Sequence, residues 1–259
     1  MSMKAAELFD LKGRVALVTG ASGGLGLRFA EVLAVNGAAV ALVARRADKL
    51  KAAREQIERA GGKAVAIEAD VLDRAAMNNA FDQAEKAFGT VTILVNNAGV
   101  AHSTRAIDVT EDEWNHVVRT NLDAVFFWAQ EGARRMLKAN AKGAIVNIAS
   151  VLGFGVSKGT IAYATAKAGV IQMTKALGNE LAFKGVRVNA IAPGWFVTDI
   201  NRDYLSGPGA SLTRDIPVGR FGQDGDLDGA LLLLASNAGS YIAGATIVCD
   251  GGQMVALRG

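Results

Sequence analysis

Cysteine and histidine are scarce. Cys249 has no second cysteine to pair with, and His102 and His116 form no cluster with it at zinc-ligand spacing. An internal disulfide framework and a structural zinc site are therefore excluded, no metal is expected, and a reducing cytoplasmic setting is the expected one. Charge of one sign is also lacking: 28 Lys and Arg stand against 25 Asp and Glu, leaving +3 and no basic block. That argues against nucleic acid or an anionic membrane surface as a partner. No apolar run is long enough and free enough of Gly and charge to span a bilayer, and the opening MSMKAAELFDLKGR has no apolar signal-peptide core. Linkers, repeats and low-complexity breaks are missing as well, so residues 1–259 read as one domain.

What is present is a large apolar fraction, 51% against 20% charged, enough for a sizeable core. Short β-rich runs at Arg14–Thr19, Ala39–Ala44, Ala64–Glu68, Val91–Asn96, Ala144–Ala149, Val186–Ile191 and Thr246–Val248 alternate with helical segments. Asp73 is placed to cap one helix, and Thr110 with Glu113 has capping-box spacing before another. Repeated strand-helix-strand units need right-handed crossovers. The expected fold is thus α/β: a doubly wound parallel sheet of about seven strands with helices on both faces. Residues 201–220, with three Gly and two Pro, are the least regular long stretch and the expected substrate lid.

Directly after the first run stands Thr19-Gly20-Ala21-Ser22-Gly23-Gly24-Leu25-Gly26, leading into Leu27–Asn36. Strand, glycine turn and helix in that order make a Rossmann-like phosphate site: helix N-terminal N–H groups face a pyrophosphate, and glycines permit close backbone approach. Gly20, Gly24 and Gly26 are the candidates, with Ser22 and Leu25 between them; a purely steric glycine turn is the bland alternative. At the end of the second run, where a carboxylate would accept from the ribose 2′-OH of NAD, stands Ala44, followed by Arg45 and Arg46. A guanidinium pairs with a 2′-phosphate instead. NADP(H) is therefore the expected cofactor, with Arg45 the first choice and Arg46 the second, and NAD the alternative.

Tyr163 and Lys167 are four apart on an expected helix, so they project from one face. A phenol of pKa ~10 needs roughly 4 kcal/mol of help to act near neutrality. A cation ~4 Å away supplies on the order of that amount at an effective dielectric of ~20. An ordinary amphipathic pair is the competing reading. Ser150 ends a strand, where open α/β sheets bind ligands. A serine hydrolase is disfavoured, because Ser150 lacks the Gly-x-Ser-x-Gly setting and no histidine follows it.

Taken together, Thr19-Gly20-x-x-x-Gly24-x-Gly26, Asp70, Asn96-Asn97-Ala98-Gly99, Asn121, Ser150, Tyr163-x-x-x-Lys167 and Pro193-Gly194 with Thr198 resemble the short-chain dehydrogenase/reductase family. The resemblance runs from about Leu11 to Gly252. It implies an oxidoreductase that interconverts a ketone and a secondary alcohol. On it, Tyr163 donates the proton, Ser150 binds the substrate oxygen, Lys167 also contacts the nicotinamide ribose, and Asn121 holds a relay water. Asp70 and Val71 would contact adenine, Asn96, Asn97, Ala98 and Gly99 the cofactor floor, and Pro193, Gly194 and Thr198 the carboxamide end.

Leu152, Phe154 and Trp195, with Val151 and Phe196, are placed to wall a mainly apolar substrate site beside Ser150 and Tyr163. The sequence resembles both 3-oxoacyl-carrier-protein reductase-like and gluconate dehydrogenase-like members. For the former, acyl carrier protein is a candidate partner, with Arg134, Arg135, Lys138, Lys142 and Lys184 as patch residues or simply a solvated helix face. An NAD-linked polyol or sugar-acid dehydrogenase and a non-catalytic NADP sensor are the competing functions. A homotetramer is expected through the helices around Glu113–Ala139 and Tyr163–Phe183, with Val117, Val118, Phe126, Phe127 and Trp128 as its stripe.

Overall fold

The computed structural model describes residues 4–101, 103–198 and 201–256; His102, one of the two histidines, lies outside them. A short helix α1 (Ala5–Leu8) precedes β1 (Val15–Thr19), α2 (Gly24–Val35), β2 (Ala39–Ala44), α3 (Ala47–Arg59), β3 (Lys63–Glu68), α4 (Arg74–Phe88) and β4 (Ile93–Asn96). Then come α5 (Glu111–Val118), a π-turn (Arg119–Asp123), α6 (Ala124–Lys138), β5 (Gly143–Ile148), α7 (Ile161–Leu181) and β6 (Val186–Pro193). Helices α8 (Arg202–Ser206) and α9 (Asp228–Ala235) and strand β7 (Thr246–Cys249) complete the order.

The seven strands pair in parallel as β3-β2-β1-β4-β5-β6-β7. Strand order reverses between β1 and β4, so the C-terminal ends of these two strands flank the crevice where such sheets take a ligand. Because both faces are covered, β1, β4 and β5 are buried along their whole length, with side chains alternating between two cores. Ala16, Val18, Leu42 and Val146 face α2, α3 and α9 through Phe29, Leu50 and Leu231. Leu17, Val43, Leu94 and Ile145 face α4 and α6 through Phe81, Trp128 and Met136.

Both expected helix caps form. Asp73 accepts from Ala75 N and Ala76 N, and Thr110 and Glu113 close a reciprocal box at 3.2 and 3.0 Å. Three expectations are corrected. Val117 and Trp128 are buried, and the Trp128 indole donates to Val71 O at 3.0 Å, so neither belongs to an exposed stripe. Phe196 is buried in the core on the α2 side, so it is not a wall of the substrate site. Arg135 is enclosed by Asp82, Glu85 and Glu131 at 2.6–2.8 Å, which removes it from any free basic patch. The stretch 201–220 is also more regular than its composition suggests: α8 and a 3-10 turn over Ala210–Asp215 occupy most of it.

Candidate active site

The glycine turn between β1 and α2 needs glycine for two separate reasons. Gly20 and Gly24 have φ of +69° and +54°, in the left-handed region that side chains disfavour. Gly26 is helical, but a Cβ there would collide with Gly20 O and the Asn97 amide, so its role is close helix-to-strand packing. Helix α2 begins without a side-chain cap, unlike α4 and α5, which leaves its first amides unclaimed by any cap. An uncapped helix start behind a glycine cradle is what a dinucleotide pyrophosphate requires. The residues present therefore fit the cofactor that the sequence implies.

Thr19 organises the floor. Its hydroxyl accepts from Asn97 N and Ala98 N at 3.0 and 3.1 Å, and the Asn97 side chain donates to Thr19 O at 3.0 Å. Asn97 and Ala98 are thus stitched to the end of β1, and Gly99 lies so close to Asn121 that a Cβ would meet its Oδ1 at 2.7 Å. Sequence reading assigned Thr19 no task of its own, because a threonine in a strand carries no signal until its partner strand is known.

At the adenosine end the two arginines separate. Arg45 lies 3.9 Å from Asp70, an exposed and therefore weak pair. Arg46 crosses to the glycine turn and donates twice to Ser22 Oγ, at 2.9 and 3.3 Å. Arg46, the second choice, is thus the one built into the turn. Asp70 also accepts from Leu72 N, and neighbouring Val71 is held by Trp128.

Ser150, Tyr163 and Lys167 converge beyond the end of β5. Ser150 caps the 3-10 turn Val151–Gly153, accepting from Leu152 N at 3.1 Å. Its side chain also hydrogen-bonds Tyr163. Lys167 is buried, its ammonium donating to Ile148 O at 2.7 Å and lying 5.6 Å from the Tyr163 ring centre. Burial pushes the Lys167 ammonium down to about 8. Burial also pushes the Tyr163 phenol up, with the Ser150 hydrogen bond pulling the other way. The phenol is thereby held in its protonated form.

Asn121 lies on the π-turn that splits α5 from α6, a local bulge of the kind found at functional sites. Its amide donates to Val100 O at 2.8 Å and accepts from Val100 N at 3.0 Å. The side chain therefore braces the loop after β4. Pro193 ends β6, Gly194 packs on Asp250, and Thr198 sits over Gly24, 3.6 Å from where a Cβ would stand. Asn201 fixes this run by accepting from Thr198 N at 2.8 Å and donating to Phe196 O at 2.9 Å. Trp195 packs on Tyr204 of α8, with ring centres 6.3 Å apart. Leu152 is half-buried and Phe154 exposed beside Ser150.

A depression of about 420 Å³ lies elsewhere, under the N-terminal ends of β1 to β3 between Gly13, Gly37, Gly62 and Phe88. It is at the opposite end of the strands from Ser150 and Tyr163 and supplies no group for this chemistry. Among the described residues no group of His, Cys, Asp and Glu could hold a metal, and no helix is long and apolar enough to cross a membrane.

An oxidoreductase of the dinucleotide-binding α/β class is what this fold and site define. A model of the short chain dehydrogenase family matches residues 14–208, and the chain belongs to that family. It is 37% identical over 244 residues to the 3-oxoacyl-[acyl-carrier-protein] reductase FabG of Aquifex aeolicus, covering 94% of this chain and 98% of that protein. Among solved structures it is similar to a short-chain type dehydrogenase/reductase from Mycobacterium marinum (TM-score 0.94, 37% identity, covering 98% and 100% of the two chains). It is likewise similar to a gluconate 5-dehydrogenase from Burkholderia cenocepacia J2315 in complex with NADP and tartrate (TM-score 0.93, 35% identity, 98% and 100%).

Proposed function

We propose that the chain is an NADP(H)-dependent reductase that converts a ketone to a secondary alcohol. The observation that carries this is the convergence of Ser150, Tyr163 and Lys167 at the sheet end that also carries the uncapped glycine turn. Gly20, Ser22, Gly24, Leu25 and Gly26 would hold the pyrophosphate end and Arg46 with Arg45 the 2′-phosphate, while Pro193, Gly194 and Thr198 would line the carboxamide end. Bound NADPH supplies the hydride for the carbonyl carbon. Tyr163 gives its proton to the carbonyl oxygen, Ser150 orients that oxygen, and the Lys167 charge stabilises the phenolate left behind. Asn121 holds the loop after β4 in place through Val100, and any part it has in proton relay is additional to that brace. Residues 201–220 act as the substrate lid, and the working assembly is a homotetramer, which light scattering at micromolar concentration would test.

A 3-oxoacyl reductase is the first narrower reading, supported by the bacterial relatives of that name. A sugar-acid dehydrogenase is the second, supported by the gluconate 5-dehydrogenase likeness. Initial rates with ketones and alcohols against all four nicotinamide cofactors test the proposal. It requires NADPH-dependent turnover that Tyr163→Phe removes, and a flat panel would turn the protein into a binding protein.

A further inference from the structure

The turn that follows β7 touches two parts of the candidate site at once. On one side it backs the end of β6: Gly194 N donates to Cys249 O at 3.0 Å, and a Cβ on Gly194 would meet Asp250 Cα and Cβ at 2.8 Å, with Gln253 Oε1 at 3.3 Å. On the other side it seats the far end of the 201–220 stretch. Val218 N donates to Gly251 O at 3.1 Å, and Cβ atoms on Gly251 and Gly252 would stand 2.8 Å from Ile216 and 3.1 Å from Pro217. Neither face has room for a side chain, so a shift of one part is passed to the other.

Asp250 gives this turn its shape. Its Oδ1 accepts from Gly252 N at 2.9 Å and its Oδ2 from Met254 N at 2.8 Å, so each carboxylate oxygen holds one amide of the turn. An asparagine of the same size offers one oxygen and would turn an N–H toward an N–H. The rest of the stretch is tied to the same place, because Asn201 holds Thr198 and Phe196 while Gly222 N donates to Trp195 O at 2.8 Å. Residues 201–220 thus leave from and return to the segment that begins at Gly194, and Asp250 packs against Gly194 itself.

We infer that Asp250 is a positioning residue: through its turn it locks the base of the 201–220 lid to the Gly194 segment at the carboxamide end, so that NADPH binding is transmitted to the lid. This rests on the placement of NADPH and of the lid in the reductase reading, and adds the residue that couples them. The test is hydrogen–deuterium exchange of lid peptides with and without NADPH, for the wild type, Asp250→Ala and Asp250→Asn, with saturation of each protein confirmed by fluorescence titration of NADPH. In the wild type NADPH should slow lid exchange about tenfold; Asp250→Ala should cut this to less than about threefold at full saturation, and Asp250→Asn should fall between. With a ketone that turns over, Asp250→Ala should raise its KM about tenfold and leave kcat within about threefold, since Ser150, Tyr163 and Lys167 are untouched.

A wild-type lid that ignores NADPH overturns the inference, as does an Asp250→Ala lid that responds like the wild type. A loss of kcat at unchanged KM overturns it too, because the residue would then act on the chemical step rather than on the lid. If Asp250→Ala does not fold or cannot be saturated, Asp250→Asn decides alone, since it keeps the packing on Gly194 and gives up one acceptor; a response equal to wild type sinks the inference. The exchange experiment needs NADPH but no turnover. A coupled lid in a protein that reduces no ketone therefore keeps the inference and sinks the reductase, whereas turnover with an unresponsive lid keeps the reductase and sinks the inference.

Discussion

Replacing Lys167 by methionine should make the protein more stable at neutral pH while destroying its activity. Burial lowers the ammonium from its ordinary 10.5 to about 8, which corresponds to about 3 kcal/mol of cost for keeping the charge inside. Methionine keeps the length and removes the charge, but Ile148 O loses its donor, which costs about 1 kcal/mol. The variant should therefore gain about 2 kcal/mol at pH 7, or about 5 °C in Tm. The gain must depend on pH. Between about 8 and 10.5 the unfolded chain holds the lysine proton and the folded one does not, so wild-type stability rises through that window and is flat below it. Lys167→Met lacks this rise, and its advantage should shrink and reverse to about −1 kcal/mol above pH 10. Urea unfolding of both proteins without cofactor at pH 7 and pH 10 measures the double difference, in which all other titrating groups cancel. A variant less stable than wild type at pH 7, or a difference that ignores pH, would refute the reasoning.

Tyr163→Phe should leave less than a tenth of wild-type turnover with cofactor affinity within a few-fold, because only the transferable proton is removed; a residual rate above that level would move the donor role elsewhere. Since burial holds the Tyr163 phenol up, ketone reduction should be steady from pH 6 to 7 and alcohol oxidation should climb toward alkaline pH; an oxidation rate that peaks in acid would contradict this. Arg46→Ala should reduce the NADPH-over-NADH preference by about tenfold, as expected for one charge-assisted hydrogen bond, and more than Arg45→Ala does. Competition between the two cofactors measures it; an aspartate at Ala44 is a poor probe because that side chain is buried in the core. Gly26→Ala should weaken NADPH binding at least tenfold and lower Tm, since its Cβ has no room beside Gly20 O; calorimetry showing wild-type affinity would disprove the packing role.

Much of this was legible in one dimension because the physics behind it is local. A parallel strand buried on both faces must be an unbroken apolar run, so β1, β2 and β5 could be bounded to within one or two residues. A turn that needs left-handed backbone must be written with glycine, and two residues four apart on a helix must share a face, so the phosphate cradle and the Tyr163–Lys167 pair were readable from spacing. The family resemblance supplied the order of these motifs and the roles it implies for them.

What spacing could not decide was which partner each side chain would find across the fold. Arg45 and Arg46 are adjacent in sequence and equal in chemistry. Only the packing of β2 beside β1 brings Arg46 to Ser22 and leaves Arg45 with Asp70. Arg135 reads as patch charge until α4 brings Asp82 and Glu85 against it. Trp128 reads as surface stripe until its indole finds Val71 O. The proton affinities of Tyr163 and Lys167 are set in the same way. The sequence determines that phenol and ammonium stand one turn apart, whereas desolvation depends on the whole enclosure, and only the tertiary structure decides that burial raises one and lowers the other.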